Sequence, residues 1–173
     1  MFPLDRFYDE LDLIMPEVQF LPPQDLPEPC RSLLAHSEDM VPRLEGHYKD
    51  KLHLEILHLC SDQDIHSRLV KLVTDHHAQV VEFGAIRIYL SRFSEKAVKL
   101  IREGRKPLGD ILQSEKVIHR SDPRTYFRLR PDSLIEEALG LKDRAIWLYG
   151  RQNVHMDPSG QPLAEVVEIL PPE

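Results

Sequence analysis

Apolar and polar residues alternate along 51–59: Leu52, Leu54 and Ile56 fall on one side, His53 and Glu55 on the other. A period of two marks a strand with one buried face. A second segment, 68–74, alternates likewise, with Arg68, Val70, Leu72 and Thr74 on one side and Leu69, Lys71 and Val73 on the other. Asp75-His76-His77 reads as a hairpin turn and 79–90 as the returning strand, with a bulge expected near Gly84. The three segments predict an antiparallel meander.

The period then changes. Ala97, Val98 and Ile101 recur at helical spacing over 94–103, with Ser94 as N-cap and Gly104 as C-cap. Residues 107–113 start a second helix or turn. A strand over 117–130 is expected to break at Ser121-Asp122-Pro123, and a short helix spans 132–139, capped by Asp132 or Ser133 and closed by Gly140. Two final strands, 145–156 and 162–170, flank the turn Asp157-Pro158-Ser159-Gly160. Upstream, a short helix starts at Cys30 and runs toward Met40. Residues 1–29 carry Pro3, Pro16, Pro22, Pro23, Pro27 and Pro29, which predicts an irregular arm with at most one short helix around 7–14. The pattern predicts an α+β domain over 30–173, an antiparallel sheet with helices packed on it, preceded by the arm 1–29.

Composition narrows the classes. A chain of 173 residues suits one domain with a core of its own. With 22 Lys plus Arg against 29 Asp plus Glu the net charge is −7, which argues against a nucleic-acid partner. Two cysteines, Cys30 and Cys60, demand no disulfide and suit a reducing, cytoplasmic setting. The N-terminus has no signal-peptide pattern, and no apolar run approaches the ~18 residues of a membrane span. No Gly-rich phosphate loop and no Gly-x-Ser-x-Gly elbow occurs.

The candidate chemistry lies on strands. Leu163 to Leu170 is apolar on both faces except for Glu165 and Glu168, which alternation puts on opposite faces. A buried carboxylate needs a partner or a pocket; a carboxylate at a sheet edge needs only water. Arg68, on the face of Val70 and Leu72, suits bidentate binding of a carboxylate, or else extends its stem to solvent. Arg128 and Arg130 point the same way and would help attract an anion. His53, Glu55 and His58, and the adjacent His76 and His77, fit no metal-binding spacing, His58 falling on the opposite face from His53, so no metal site is expected.

Gly104-Arg105-Lys106-Pro107-Leu108-Gly109-Asp110-Ile111-Leu112, then Tyr149-Gly150-Arg151-Gln152-Asn153-Val154, then Ser159-Gly160-Gln161-Pro162-Leu163 form an ordered series. Over roughly 30–171 the chain resembles the chorismate pyruvate-lyases, or 4-hydroxybenzoate synthases, a family related in fold to the effector-binding domains of some bacterial transcription regulators. The resemblance implies a chorismate lyase-like fold and a pocket in which Arg68 clamps a substrate carboxylate. Glu168, just ahead of Leu170-Pro171, would contact the ring hydroxyl, and Met40 and Leu108 would form apolar walls. Arg68 and Glu168 would be the catalytic pair for eliminating pyruvate from chorismate, with no cofactor. Two departures stand out: Val41 replaces a frequent threonine, and a one-residue shift in the last strand keeps Glu165 in reserve. The rival implication is a non-catalytic domain sensing a small carboxylate. Such sensors usually accompany a helix-turn-helix, which 1–29 is too short and Pro-rich to form.

Overall fold

The computed structural model describes residues 1–141 and 146–172. Among these, β1 (Val18–Leu21), β2 (Leu52–Ser61), β3 (Ile65–Thr74), β4 (Val80–Tyr89), β5 (Arg120–Leu129), β6 (Leu148–Met156) and β7 (Pro162–Leu170) form one antiparallel sheet. Its spatial order is β1-β5-β6-β7-β4-β3-β2. The last strand in sequence is central in space: β7 sits between β6 and β4 and joins the meander β2-β3-β4 to the hairpin β5-β6. That position explains why its residues are apolar on both sides. The α+β antiparallel architecture predicted from periodicity is the one observed.

Helices cover both faces. On one, α1 (Leu4–Glu10) and α6 (Ser133–Leu139) pack Leu4, Phe7, Tyr8 and Ile135 against Phe83, Phe127, Val167 and Ile169. On the other, α2 (Cys30–Leu34) and α3 (Met40–Tyr48) bury Leu34 and Leu44 against Leu54, Val70 and Leu72. Beside them, α4 (Glu95–Glu103) and α5 (Leu108–Ser114) bury Ile101, Ile111 and Leu112 against Ile86 and Val166. The second face therefore carries two apolar clusters with a seam between them.

Local signals set the helix ends. Ser94 accepts a hydrogen bond from the Ala97 amide and Asp132 one from the Ile135 amide. Gly104 and Gly140 close α4 and α6 at φ +66° and +65°, a region that disfavours any residue with a Cβ.

Elsewhere the structure departs from the predicted pattern. The first 29 residues are more regular than their prolines suggest. α1 begins at Leu4 and ends at Glu10, and β1 pairs with β5 from Val18↔Leu129 to Leu21↔Tyr126. A short strand on a sheet edge tolerates flanking prolines because only one side of its backbone is paired. The β3–β4 irregularity lies between Leu72 and Val73, not at Gly84, which pairs regularly with Val70. β5 is not broken at 121–123; it runs through Pro123 with a register shift between Pro123 and Thr125, which accommodates the missing amide. A second shift between Ile56 and His58 returns His58 to the face of His53, against expectation. The predicted start of β6 at Ala145 lies outside the described residues; the strand begins at Leu148.

Candidate functional site

The seam holds a cavity lined by Met40, Val41 and Leu54 from one cluster, Ile86, Leu108 and Val166 from the other, and the polar groups Arg68, Glu82, Glu168, Asp39 and His155. The centres of water-sized molecules can occupy about 60 Å³ of it. Arg68, Glu168, Met40 and Leu108, singled out from the sequence, all meet here. Glu165 does not: it lies on the opposite side of β7 and accepts a hydrogen bond from the Tyr89 hydroxyl at 2.5 Å.

Arg68 is 1% exposed. Its guanidinium donates to the Ile101 carbonyl at 3.4 Å and the Lys106 carbonyl at 3.3 Å, both long contacts, and its buried Nε has no partner. No carboxylate among the described residues lies within ion-pair distance of it. Burial pushes its pKa down to about 10, so it remains a cation at neutral pH. A buried charge held only by two weak carbonyl contacts is incompletely compensated, and an anion is what would complete it.

Glu168 is in a different state. The Arg151 guanidinium, 0% exposed, donates to its Oε2, and to the carbonyls of Leu34 at 3.0 Å and His36 at 2.9 Å. β6–β7 register places Arg151 directly opposite Glu168. Gly150 makes the close strand contact possible, since a Cβ there would lie 2.5 Å from the Glu168 carbonyl oxygen. Glu168 is thus the counter-ion of a buried arginine that anchors the α2–α3 segment.

Glu82 adds a third polar group. Burial first, then the Glu168 charge, push its pKa well above the ordinary carboxylate range, against a smaller opposing effect of Arg151. Its Oε2 has no partner. A Cβ at Gly84 would lie 3.1 Å from its Oε1, so the glycine gives this side chain room. The cavity therefore presents one incompletely compensated cation, one buried carboxyl group with an unpartnered oxygen, and apolar walls. That combination has the chemistry to suit a small anion with an apolar body.

Sequence reasoning missed Glu82, Arg151, Asp39 and His155. Glu82 carried the same signal as Glu168, a lone carboxylate in an apolar strand. Arg151 and His155 share one face of β6 with buried Asn153, and that polar face was visible in the alternation. The histidines weighed for metal are separately engaged: His53 with Asp75, His58 with Glu10, and His76 and His77 with Asp50. Arg128 and Arg130 do not line the cavity; they flank the Trp147 ring and contact Gln19 and Glu17.

No family model matches the sequence, and no curated protein sequence matches it significantly. Solved structures do match. The chain superposes on PhnF from Mycobacterium smegmatis with a TM-score of 0.59 at 11% identity, over 77% of this chain and 63% of that one. It therefore spans less than two thirds of that protein. It superposes on the effector domain of PhnF with a TM-score of 0.57 at 12% identity, over 76% of this chain and 87% of that one. For the ligand-binding domain of a putative GntR-family transcriptional regulator from Bordetella bronchiseptica the values are 0.54 and 12%, over 72% and 85%. At these identities the likeness is one of fold, and the fold is the chorismate lyase-like one. The neighbours are regulator domains and not lyases, which overturns the expectation of a chorismate pyruvate-lyase. Glu168, the carboxylate expected to assist the reaction, is paired with Arg151 through Oε2.

Proposed function

We propose that this domain is a non-catalytic sensor that binds a small carboxylate in the seam cavity. The observation that carries the reading is Arg68, a buried cation without a carboxylate partner among the described residues, facing apolar walls beside Glu82. The ligand's carboxylate would pair with Arg68, its apolar body would lie against Met40 and Leu108, and Glu82 would hydrogen-bond a second polar group on it. The fold shared with effector and ligand-binding domains supports the same reading. The net charge of −7 argues against nucleic acid as the partner of this domain.

The test is thermal unfolding against small carboxylates from acetate to benzoate and 4-hydroxybenzoate, with matched neutral amides. A ligand that binds only the folded form at 100 times its Kd adds about 2.7 kcal/mol, an easily read shift in Tm. The reading predicts that some carboxylates raise Tm and their amides do not. Equal shifts from acid and amide, or none from any, would overturn it.

A further inference from the structure

Asp39, His119 and His155 come from three separate segments and converge beside the cavity, with one ligand atom from each within 4.8 Å of the others. Asp39 stands at the N-cap position of α3, yet its carboxylate does not cap the helix. A capping carboxylate contributes about 1 kcal/mol, and here that contribution is forgone. Both its oxygens instead face His119 Nε2, each at 3.0 Å. The other ring nitrogen of His119 faces the Val117 carbonyl at 3.0 Å. A carbonyl only accepts, so Nδ1 donates to it; Nε2 donates to the Asp39 carboxylate, and an ion bound between them would displace that proton and take the Nε2 lone pair. This backbone-carbonyl support is the arrangement that orients metal-binding histidines.

His155 supplies an independent observation. It is 6% exposed, and its buried Nδ1 has no hydrogen-bond partner. That atom lies 3.7 Å from Asp39 Oδ1, too far for a hydrogen bond. The two histidine rings stand 5.5 Å apart between centroids, inclined at 68°. A buried nitrogen aimed at a carboxylate it does not reach leaves a position that an ion would fill.

We propose that Asp39, His119 and His155 bind a divalent transition ion of the zinc class. Two imidazole nitrogens and one carboxylate oxygen suit such an ion and leave at least one coordination position open. Asp39 and His155 also line the cavity, so the ion shares a wall with the carboxylate site. It would add a second electrophilic group to the cavity wall, favouring ligands with two oxygen donors. Metal binding does not depend on the sensor reading, because it requires only the three side chains.

The experiment uses the full chain, freed of any histidine tag, dialysed against Zn²⁺ or Co²⁺ with no carboxylate ligand present. We expect one ion retained per chain, visible absorption bands of low-symmetry Co²⁺ in the cobalt form, and a Zn²⁺-dependent rise in Tm. Losing a supporting partner of a ligand weakens metal affinity by about 10–100-fold, so His119→Ala and Asp39→Asn, each losing a ligand, should weaken it at least tenfold. Both positions are partly exposed, and far-UV circular dichroism verifies that the variants fold. His76→Ala with His77→Ala should retain the ion. No retained ion in the wild-type chain, or retention unchanged in His119→Ala and Asp39→Asn but lost in the His76/His77 variant, would overturn the proposal.

Discussion

Arg68 and Glu168 share a cavity but differ in what compensates their charge. Glu168 has a full partner in Arg151, and removing it leaves an arginine buried without a counter-charge. Glu168→Ala should therefore destabilise the fold by about 3–5 kcal/mol, and a second change, Arg151→Met, should recover much of that loss. Denaturant melts of the single and double variants would check this; equal instability of the two would mean that Arg151 matters for its bonds to the α2–α3 carbonyls more than for charge. A neighbouring histidine reports on the same electropositive interior. His66 is 1% exposed, and burial, then Arg68 and Arg102, push its pKa down to about 4 from 6.5. Between those values the unfolded chain takes up a proton that the folded chain refuses. Its stabilising contribution is full above pH 6.5 and is lost as pH falls toward 4, a change of about 3 kcal/mol. Urea melts at pH 7 and pH 4.5 should show that loss, and His66→Asn should lack it.

At the scale of elements, what could be read from the sequence followed the strength of each local signal. β2 and β3 were legible because their residues alternate, β4 as the return of a hairpin, and β7 as an apolar run bounded by a turn and by Pro171. α4 and α6 were legible because their caps are chemical, with Ser94 and Gly104 on one and Asp132 and Gly140 on the other. β1 was not, since four residues between prolines carry no period, and only pairing with β5 makes them a strand. The separation of α2 from α3 was hidden for a similar reason: Arg151, distant in sequence, holds the carbonyls of Leu34, His36 and Glu38. Of the site, Arg68, Glu168, Met40 and Leu108 were placed together by resemblance, whereas Glu82 and Arg151 required the register. Gly150 tests how tightly that register is held. A Cβ there would meet the Glu168 carbonyl oxygen and the Phe127 ring, each at 2.5 Å, and neither can move cheaply. Gly150→Ala should cost about 1–3 kcal/mol, the range for overpacking a core; a melt within 0.5 kcal/mol of wild type, the scatter of a harmless surface change, would contradict the contact.

Across the whole molecule, the cavity lies where two helical layers meet on one sheet face. A ligand there touches α3 through Met40 and α5 through Leu108, so its binding energy couples elements far apart in sequence. A sensor needs a difference in binding free energy between two arrangements, and a seam provides one without chemistry. Hydrogen exchange should slow in α3, α5 and 104–108 when ligand binds, while α1 and α6 on the opposite face remain unchanged; uniform slowing would indicate simple global stabilisation instead. Among the described residues no helix is long and apolar enough to cross a membrane.

The most direct test is calorimetric titration of wild type and Arg68→Met with the carboxylate that gives the largest thermal shift, alongside the stability of each protein without ligand. Arg68→Met should lose at least tenfold in affinity, since a charged hydrogen-bonded contact contributes about 1.5–3 kcal/mol. Its stability without ligand should stay within about 1 kcal/mol of wild type or rise, because methionine replaces a cation that has no counter-charge. Unchanged affinity, or a ligand-free protein weakened by several kcal/mol, would show Arg68 to be a structural residue and contradict the carboxylate site.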